Sequence, residues 1–591
     1  MSDYRAPLQE QLFALDAVAA FSTTPPGRET VTPALADAIL SESARLAEGR
    51  FAPLNRIGDV EGARWDGGEV RLPEGFSAAY RSYVEGGWNG LGAHPDHGGQ
   101  GLPFALAVAV QEQFTSANMA LSLCPMLNQG AIEALHAHGS AELKSLYLPK
   151  LVGGEWTGTM NLTEPQAGSD VGALRTMASR ADNGTYRIKG SKIFISWGEH
   201  GIAENIVHLV LARLPDAPAG TRGISLFVVP KFIPDTDGRP GVRNDLRCVS
   251  IEHKLGIHAS PTCTMIFGDA DACVGWLVGE EHGGMRAMFT MMNHARINVG
   301  LQGVAIAERA YQGALAYARE RIQSARIGTR EPARIIEHPD VRRMLMTMRA
   351  NTQAIRAITY FNAAAVDRAH AATDSRERCR LQRRADLLTP ITKAFATDTG
   401  AEVASLGIQV FGGMGYIEET GAAQHLRDAR IAQIYEGTNG IQALDLVRRK
   451  LFANDGEAVQ DLLAESTALL ADLSSEHALQ SLGATLGAAL ESLRMATDGI
   501  SAMRPEQAAA GAAPYLQMFG LGLGGFLLAR QAKEALTRLQ RGDRESSFLS
   551  AKIATAQFYH QQIMCRATSL TESVLYGAEI TLALTDEQFA Q

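Results

Sequence analysis

The chain has 591 residues, of which 46% are hydrophobic, and its formal net charge at pH 7 is -9. This length and apolar content predict a globular protein of several domains with a large buried core. The net negative charge gives no electrostatic basis for binding nucleic acid or an anionic membrane surface. We therefore expect neither kind of partner.

The cysteines and the first residues of the chain indicate the compartment. Six scattered cysteines form no C-x-x-C pair and have no ligand-like spacing with histidine: Cys124, Cys248, Cys263, Cys273, Cys379 and Cys565. The first residues contain no basic leader followed by an apolar run, and we predict that no later stretch is apolar enough to span a bilayer. We therefore expect a cytoplasmic protein with neither a disulfide framework nor a metal site.

Hydrophobic periodicity predicts helices first and strands next. Residues 1–156 follow a helical pattern, which is interrupted by the Gly/Pro/His loop "GAHPDHGGQGLP". In residues 157–280 the period changes to short runs rich in Ile, Val and Phe, such as "GISLFVVPKF", separated by turn residues. These patterns predict an N-terminal helical domain followed by a middle β domain.

Helical patterns return in the rest of the chain. Residues 281–451 contain helical stretches long enough for a bundle, "FANDGEA" at 452–458 is typical of a linker, and residues 459–591 form further Ala/Leu-rich helices. From residue 452 onward there are 9 Lys and Arg against 16 Asp and Glu, so this part is acidic. The predicted fold class is α+β, with an N-terminal helical domain, a middle β domain, a C-terminal helical bundle and an additional C-terminal helical domain.

The stretch "RIAQIYEGTNGIQALDL" contains an acidic residue where one helical pattern stops and another starts. Glu436 lies in this break beside Gly437, and Asn439 is predicted to cap the second helix with Gln442 as a capping-box partner. A carboxylate in such a break is a candidate general base. The alternative is a surface glutamate at an ordinary helix-loop-helix joint.

Two glycine-containing stretches suggest close contact with a ligand or another backbone. In "MNLTEPQAGSDVGALRT", the polar groups of Thr163, Ser169 and Asp170 suit the edge of a polar cofactor, and the alternative is a plain polar turn. In "QVFGGMGY", the glycines permit close approach to a helix end. This second stretch is not a dinucleotide fingerprint, because no strand precedes it. We interpret "GLGLGGF" at 520–526 as close helix packing.

Three motifs together resemble the acyl-CoA dehydrogenase family. They are T-E-P-x-A-G-S-D at 163–170, Q-V-F-G-G-x-G-Y at 409–416 and I-Y-E-G-T at 434–438, and the resemblance covers residues 80–450. It implies an FAD enzyme that removes two hydrogens from the α and β carbons of an acyl-CoA thioester, with electron-transfer flavoprotein as the electron acceptor.

The resemblance also assigns roles to individual residues, with Glu436 as the catalytic base. The residues that match FAD-binding positions are Met160, Leu162, Thr163, Ser169, Phe194, Ser196, Arg321, Gln323, Gln409, Gly413 and Thr438. Those that match substrate-binding positions are Ser169, Asn293, Arg296, Tyr435 and Gly437. Taken alone, Arg296 on its helix would be read as solvated charge. In the family the arginine and glutamine motifs reach the flavin of a neighbouring subunit, which implies an oligomer, and we expect a homodimer.

The acidic extension and "YEGTNGIQALDL" resemble the family branch that includes enzymes acting on 3-(methylthio)propanoyl-CoA, a reaction of dimethylsulfoniopropionate catabolism. We expect this substrate and its conversion to the 2-enoyl-CoA. The alternatives are a short- to medium-chain acyl-CoA dehydrogenase of fatty-acid β-oxidation, an acyl-CoA oxidase and, as a non-enzyme, a DNA-binding member. The acidic C-terminal part argues against DNA binding.

The chain departs from the family pattern at two positions. "RIQSARIG" stands where the family continues its arginine motif with Phe-Gly, so the register of Gln323 stays open. Gly440 replaces a glutamine that contacts the flavin in many members. The sequence also leaves open the exact acyl chain, the working pKa of Glu436 and the role of the C-terminal extension.

Overall fold

The computed structural model describes residues 4–19 and 31–591, and two parts of the predicted N-terminal domain, residues 1–3 and 20–30, lie outside the described residues. The chain divides into two compact units. The sheet unit comprises Ser41–Pro103 and Gln113–Ala295. The helical unit comprises Phe104–Glu112, Arg296–Gln591 and the described part of Met1–Leu40.

Helices make up most of the described chain. In chain order they are α1 (Leu8–Ala19), α2 (Pro33–Leu46), α3 (Pro53–Glu61), α4 (Phe76–Glu85), α5 (Phe104–Ala117), α6 (Met119–His138), α7 (Ala141–Gly153), α8 (Gly284–Glu320), α9 (Pro339–Ala371), α10 (Ser375–Phe411), α11 (Ala422–Ala429), α12 (Asn439–Asp445), α13 (Glu457–Ser475), α14 (Gln480–Ala502), α15 (Pro505–Ala510), α16 (Ala512–Gln540), α17 (Ser546–Gln562), α18 (Leu570–Leu575), α19 (Gly577–Thr581) and α20 (Asp586–Phe589).

The strands lie mainly between α7 and α8. In chain order they are β1 (Arg64–Asp66), β2 (Glu69–Arg71), β3 (Trp156–Asn161), β4 (Met177–Arg180), β5 (Tyr186–Ser196), β6 (Asn205–Arg213), β7 (Ile224–Pro230), β8 (Phe232–Pro234), β9 (Pro240–Arg243), β10 (Leu246–Ile251), β11 (Thr262–Phe267), β12 (Val274–Val278), β13 (Ile322–Ala325) and β14 (Pro332–Arg334).

The sheet unit is built around one mixed sheet of eight strands. Its order is β10-β11-β5-β12-β7-β6-β3, and β4 pairs with both β5 and β6. β3 and β4 run parallel to β6, and the other pairs in this sheet are antiparallel. β6 and β7 are buried along almost their whole length, so their sequences are nearly continuous apolar runs. This sheet confirms the predicted β part of the α+β fold.

Helix α6 packs closely against β3 in the sheet unit. Asn128 in α6 accepts a hydrogen bond from the backbone N–H of Gly158 at 2.9 Å. A Cβ atom on Gly158 would lie 2.3 Å from the Cβ of Ala131, so only glycine permits this approach. The contact fixes β3, which leads directly into the "MNLTEPQAGSD" segment.

The helical unit encloses a buried charge cluster on α9. The guanidinium of Arg356 donates hydrogen bonds to Glu112 at 2.8 Å and to Glu308 at 2.7 Å, and Tyr360 donates to Glu112 at 2.6 Å. Arg356 and Glu112 are both almost fully buried. We call these four residues the Arg356 cluster, and each of its charged side chains has a direct partner.

Helix α16 confirms the prediction that "GLGLGGF" packs closely against other helices, and it contradicts the prediction about membrane-spanning stretches. Cβ atoms on Gly520, Gly524 and Gly525 would meet Phe395, Tyr559 and Met564 within 2.5 Å, so these glycines allow close helix contact. α16 is also long and apolar enough to cross a membrane by length and composition alone. The prediction that no stretch reaches that limit is therefore wrong. Of its most apolar window, 83% is buried inside the protein, as in a core helix.

The structure contains two short hairpins where the sequence predicted helix or loop. β1 pairs with β2 across Gly67 and Gly68, whose φ values of 61° and 101° suit a tight hairpin turn. β13 pairs with β14 directly after α8. All six cysteines are free. Among the residues that the structure describes, no group of three or more His, Cys, Asp or Glu side chains could hold a metal ion.

Candidate active site

Glu436 lies in a strained loop of the helical unit. The loop follows a short 3-10 turn at Arg430–Gln433 and ends where α12 begins, so the chain has the predicted break here. Glu436 has φ 54° and Gly437 has φ 83°. A left-handed backbone at a residue other than glycine costs on the order of 1 kcal/mol, and it persists only where the surroundings hold it.

Asp398 of α10 holds both flanks of this loop. Its Oδ1 accepts a hydrogen bond from the side-chain amide of Gln433 at 2.6 Å and another from that of Asn439 at 2.7 Å. Gln433 precedes the strained residues and Asn439 follows them. One carboxylate oxygen therefore fixes the two ends of the segment that contains Glu436.

Gln442 holds the middle of the loop. Its buried side-chain amide donates to the carbonyl oxygens of Glu436 and Gly437, each at 3.2 Å. Together with Asp398, these bonds limit the conformations that the backbone of Glu436 can adopt. The strain is thus offset by polar contacts from two helices, as expected for a functional residue.

The predicted helix cap is wrong in detail. Thr438 caps α12, since its hydroxyl accepts the N–H of Ile441 at 3.2 Å, whereas Asn439 is already helical. The side chain of Asn439 points to α10, where buried polar groups bind it, and Gln442 serves the loop carbonyls instead of a capping box. Tertiary bonds to α10 therefore replace the cap predicted for Asn439, and bonds within the loop replace the one predicted for Gln442.

The carboxylate of Glu436 is left without a direct partner. Within the described chain it makes no hydrogen bond and no ion pair, although its side chain is partly buried. Burial raises the pKa of Glu436, while the positive charges of Arg296 and Lys393 oppose that rise. A poised, unpaired carboxylate of this kind can accept a proton from a bound substrate.

Arg296 is buried and paired, which contradicts its reading as solvated charge. Only 5% of the residue is exposed, and its guanidinium binds Asp445 of α12 at 3.3 Å. A Cβ atom on Gly437 would lie 3.7 Å from an Nη atom of Arg296, so the guanidinium lies beside the loop. The Nε of Arg296 is buried without a hydrogen-bond partner within the described chain.

Lys393 is a charged neighbour of Glu436 that the sequence analysis missed. It is fully buried in α10, and its ammonium donates to the side-chain oxygen of Asn439 at 2.8 Å. Burial lowers the pKa of Lys393 to about 7. The signal in the sequence is a single lysine within the mainly apolar stretch "LLTPITKAFA".

The other predicted substrate residues are divided between the units. Tyr435 lies in the base loop, and its hydroxyl donates to the side chain of Gln302 in α8. Burial raises the pKa of Tyr435, so it stays neutral and acts as a hydrogen-bonding group. Ser169 and Asn293 lie in the sheet unit, Ser169 exposed and Asn293 partly buried.

The predicted flavin segment of the sheet unit is rigidly folded. The hydroxyl of Thr159 donates to the carbonyl oxygen of Ser196 at 2.7 Å, which ties β3 to β5. Met160 is buried, whereas Leu162 and Thr163 are partly exposed. Glu164 accepts hydrogen bonds from Thr176 and from the buried ammonium of Lys192, so the glutamate of the T-E-P motif has a structural role.

The fit of this segment to a flat aromatic group rests on Phe194. This residue has φ 59° and is 58% exposed, although it lies within β5. An apolar ring held in a strained, exposed position can contact another flat ring. A Cβ atom on Gly168 would meet no atom within 4 Å, so the backbone beside Ser169 is open to a ligand. The residues present therefore fit a flavin.

The remaining predicted cofactor residues lie in the helical unit. Arg321 donates to the side chain of Gln323 at 3.0 Å, at the start of the β13–β14 hairpin. Gln409 lies in the last turn of α10, and Gly413 follows in open space. Arg321, Gln323, Gln409 and Gly413 are all exposed.

Comparison with known proteins decides the family. Four family models match successive parts of the chain: the acyl-CoA dehydrogenase N-terminal domain at 47–155, the middle domain at 159–270, the C-terminal domain at 282–451 and an acetyl-CoA dehydrogenase C-terminal-like domain at 456–585. The 3-methylmercaptopropionyl-CoA dehydrogenase of Ruegeria pomeroyi is 46% identical over 96% of this chain and 97% of its own length. The chain belongs to the acyl-CoA dehydrogenase family. Members of this family are FAD-dependent oxidoreductases, and this chain is therefore one of them.

Two further relatives extend the comparison. A butyryl-CoA dehydrogenase of Syntrophomonas wolfei is 35% identical over 89% of this chain and 89% of its own length. The crystal structure of ACDH-11 of Caenorhabditis elegans, in complex with C11-CoA, covers 99% of this chain and 96% of its own, with 21% identity and a TM-score of 0.80. The second likeness supports the four-part fold, including the additional C-terminal helices.

Proposed function

We propose that this acyl-CoA dehydrogenase converts 3-(methylthio)propanoyl-CoA to its 2-enoyl-CoA, with Glu436 as the general base. The observation that carries the proposal is the carboxylate of Glu436, which lies unpaired in a strained loop that Asp398 and Gln442 hold. A side chain held in this way, with a raised pKa, suits proton abstraction next to a thioester carbonyl.

In this proposal the protein's own residues position and tune the base. Because the loop is fixed, Glu436 loses little conformational freedom when a substrate binds. Burial strengthens the carboxylate as a base by raising its pKa, and the nearby positive charges limit that rise. Arg296, Tyr435 and Gly437 are the proposed acyl-CoA contacts of the helical unit, and Arg296 also adds a positive charge near the base. Bound FAD supplies the acceptor for the β-hydride.

The FAD residues are those that the family resemblance assigned. Phe194 offers an exposed ring to the isoalloxazine. The other proposed contacts in the sheet unit are Met160, Leu162, Thr163, Ser169 and Ser196. In the helical unit the proposed contacts are Arg321, Gln323, Gln409, Gly413 and Thr438. Exposed Arg321 suits the charge of a pyrophosphate.

The substrate proposal is supported by the Ruegeria pomeroyi relative, whose similarity extends over nearly the whole chain. The alternative is a short- to medium-chain acyl-CoA dehydrogenase of fatty-acid β-oxidation, which the similarity to a butyryl-CoA dehydrogenase favours. We further propose a cytoplasmic homodimer that passes electrons to electron-transfer flavoprotein and binds neither nucleic acid nor membrane. The net charge of -9 supports the last part.

One panel of substrates tests the proposal. The purified protein is expected to be yellow and to release FAD on denaturation. With a dye as electron acceptor, kcat/KM should be highest for 3-(methylthio)propanoyl-CoA and lower for butyryl-CoA and longer straight chains. A higher kcat/KM for butyryl-CoA would support the alternative, and a colourless protein that gains no flavin on reconstitution would contradict both.

A further inference from the structure

The charge of Lys393 influences Glu436, and Lys393 lies outside the three motifs that identified the site. We propose that Lys393 is a positioning residue for the base: its buried ammonium favours the ionised form of Glu436 and anchors the base loop through Asn439. The inference rests on the proposed role of Glu436 as the base, and it concerns how that role is tuned.

The first argument is the position of the ammonium. Lys393 is 0% exposed, and its Nζ donates to the side-chain oxygen of Asn439 at 2.8 Å. Asn439 lies three residues after Glu436, and its own amide group binds Asp398 at 2.7 Å. Lys393 and Asp398 are both on α10, so one helix holds the end of the base loop by two polar contacts. A change at Lys393 is therefore transmitted directly to the loop.

The second argument is that the charge of Lys393 is uncommitted. Within the described chain the ammonium of Lys393 makes no ion pair within 4 Å, and the one hydrogen bond that it donates goes to a neutral amide. A buried ammonium without a paired carboxylate costs free energy, which a protein tolerates where a nearby charge benefits. The acidic groups whose charges act on the ammonium of Lys393 are Glu436 and Asp398. Asp398 already accepts two hydrogen bonds from the flanks of the loop.

The third argument compares Lys393 with the other cation near the base. Arg296 of α8 binds Asp445 at 3.3 Å, and Arg449 binds the other oxygen of Asp445 at 2.8 Å. The charge of Arg296 is thus partly neutralised by a direct partner. The neighbouring Tyr435 stays neutral, because burial raises its pKa. Lys393 is therefore a second positive charge near Glu436, and unlike Arg296 it has no carboxylate partner within the described chain.

This arrangement predicts a definite direction of change with pH. The positive charges of Arg296 and Lys393 oppose the rise that burial imposes on the pKa of Glu436. Removal of the Lys393 charge must raise that pKa further, so a higher pH is needed to ionise the base. The rate at neutral pH should fall and recover as the pH increases, whereas purely structural damage would lower the rate at every pH.

The experiment measures the pH profile of kcat/KM for the flavin-loaded enzyme with Lys393→Met, Lys393→Gln and Lys393→Arg. The acid limb of the profile is the range in which kcat/KM rises with pH. In the two neutral variants it is expected to move to higher pH by about one unit or more, the usual range for losing a nearby opposite charge. Lys393→Arg should keep the wild-type limb. Flavin content and thermal unfolding, measured on the same samples, show whether each variant is folded and loaded with flavin.

A matched control comes from a second buried lysine of the same unit. Lys552 of α17 is also almost fully buried, and burial lowers its pKa to about 8, but its ammonium pairs with Glu10 at 2.7 Å. Lys552→Met should lower the unfolding temperature and leave the acid limb where it is in the wild type.

An unchanged acid limb in a folded, flavin-loaded neutral variant would overturn the inference, as would an equal shift in Lys552→Met. If neither neutral variant at Lys393 folds, the pH profile of Lys393→Arg is the test. This variant keeps the positive charge, so a shift of its acid limb would also contradict the proposal. A failed base assignment has a different signature, namely wild-type turnover in Glu436→Gln. The failures of the two proposals are therefore distinguishable.

Discussion

The helical unit contains two groups of buried charges that differ in how completely they are paired. In the Arg356 cluster, the guanidinium binds Glu112 and Glu308 directly, and Tyr360 occupies the other oxygen of Glu112. Around Glu436, the polar side chains bind the loop backbone and its flanks and leave the carboxylate itself unpaired. Both groups lie among packed helices, yet only the second retains a free charged group.

The difference shows how pairing relates to role. A buried charge with all its partners is relatively inert, because any reaction would break strong hydrogen bonds. A buried charge without a partner is costly, but its pKa is sensitive to its neighbours and it is available to a substrate. We expect substitutions in the Arg356 cluster to affect stability, and substitutions near Glu436 to affect chemistry.

The largest expected effect is on stability, from Arg356→Met. The substitution leaves Glu112 and Glu308 as uncompensated buried charges, and breaking a buried pair in this way costs about 3–5 kcal/mol. Denaturant unfolding should show this loss, while the folded, flavin-loaded fraction keeps its turnover. Arg494→Met is the control, since Arg494 pairs with Glu491 and Asp498 on the surface, where an ion pair contributes little to stability. Equal losses in the two variants would remove the contrast between the clusters.

The next effect concerns chemistry, in Glu436→Gln. Glutamine keeps the size and hydrogen-bonding capacity of the side chain but cannot accept the α-proton, so turnover should fall by at least ~10²-fold. Flavin content and substrate binding should stay close to wild type. Glu491→Gln, at an exposed glutamate, should keep full turnover. Near-normal flavin reduction by Glu436→Gln in a stopped-flow experiment would show that the base lies elsewhere.

The smallest effect tests the strained backbone through a pair of glycines. Gly437 has φ 83°, and a Cβ atom there would lie 2.8 Å from the side-chain nitrogen of Gln442 that holds the loop. Gly437→Ala should therefore cost roughly 1–2 kcal/mol in stability and reduce turnover. Gly440→Ala is the control, because its Cβ would meet only Thr438 at 3.8 Å and its φ is not in the left-handed region. If both variants behave alike in thermal unfolding and turnover, the strain at Gly437 is unimportant.

The sequence by itself determined the fold class and the position of the base loop. The sequences of β6 and β7 are nearly continuous apolar runs bounded by turn residues. This local pattern is typical of strands that are buried on both faces of a sheet. The glycines of α16 likewise predicted close helix packing. The break at Glu436 was visible because Gly437 interrupts a helical pattern on either side.

Only the tertiary structure decided the surroundings of Glu436. Asn439 and Gln442 were predicted to cap α12, but α10 and the loop carbonyls bind them instead. Arg296 is paired with Asp445, and Lys393 lies buried near the base, 43 residues before it in the chain. Capping follows from residues three or four apart, whereas the contacts of Asn439, Arg296 and Lys393 join separate helices. Their partners, and therefore the pKa of the base, depend on how the helices pack.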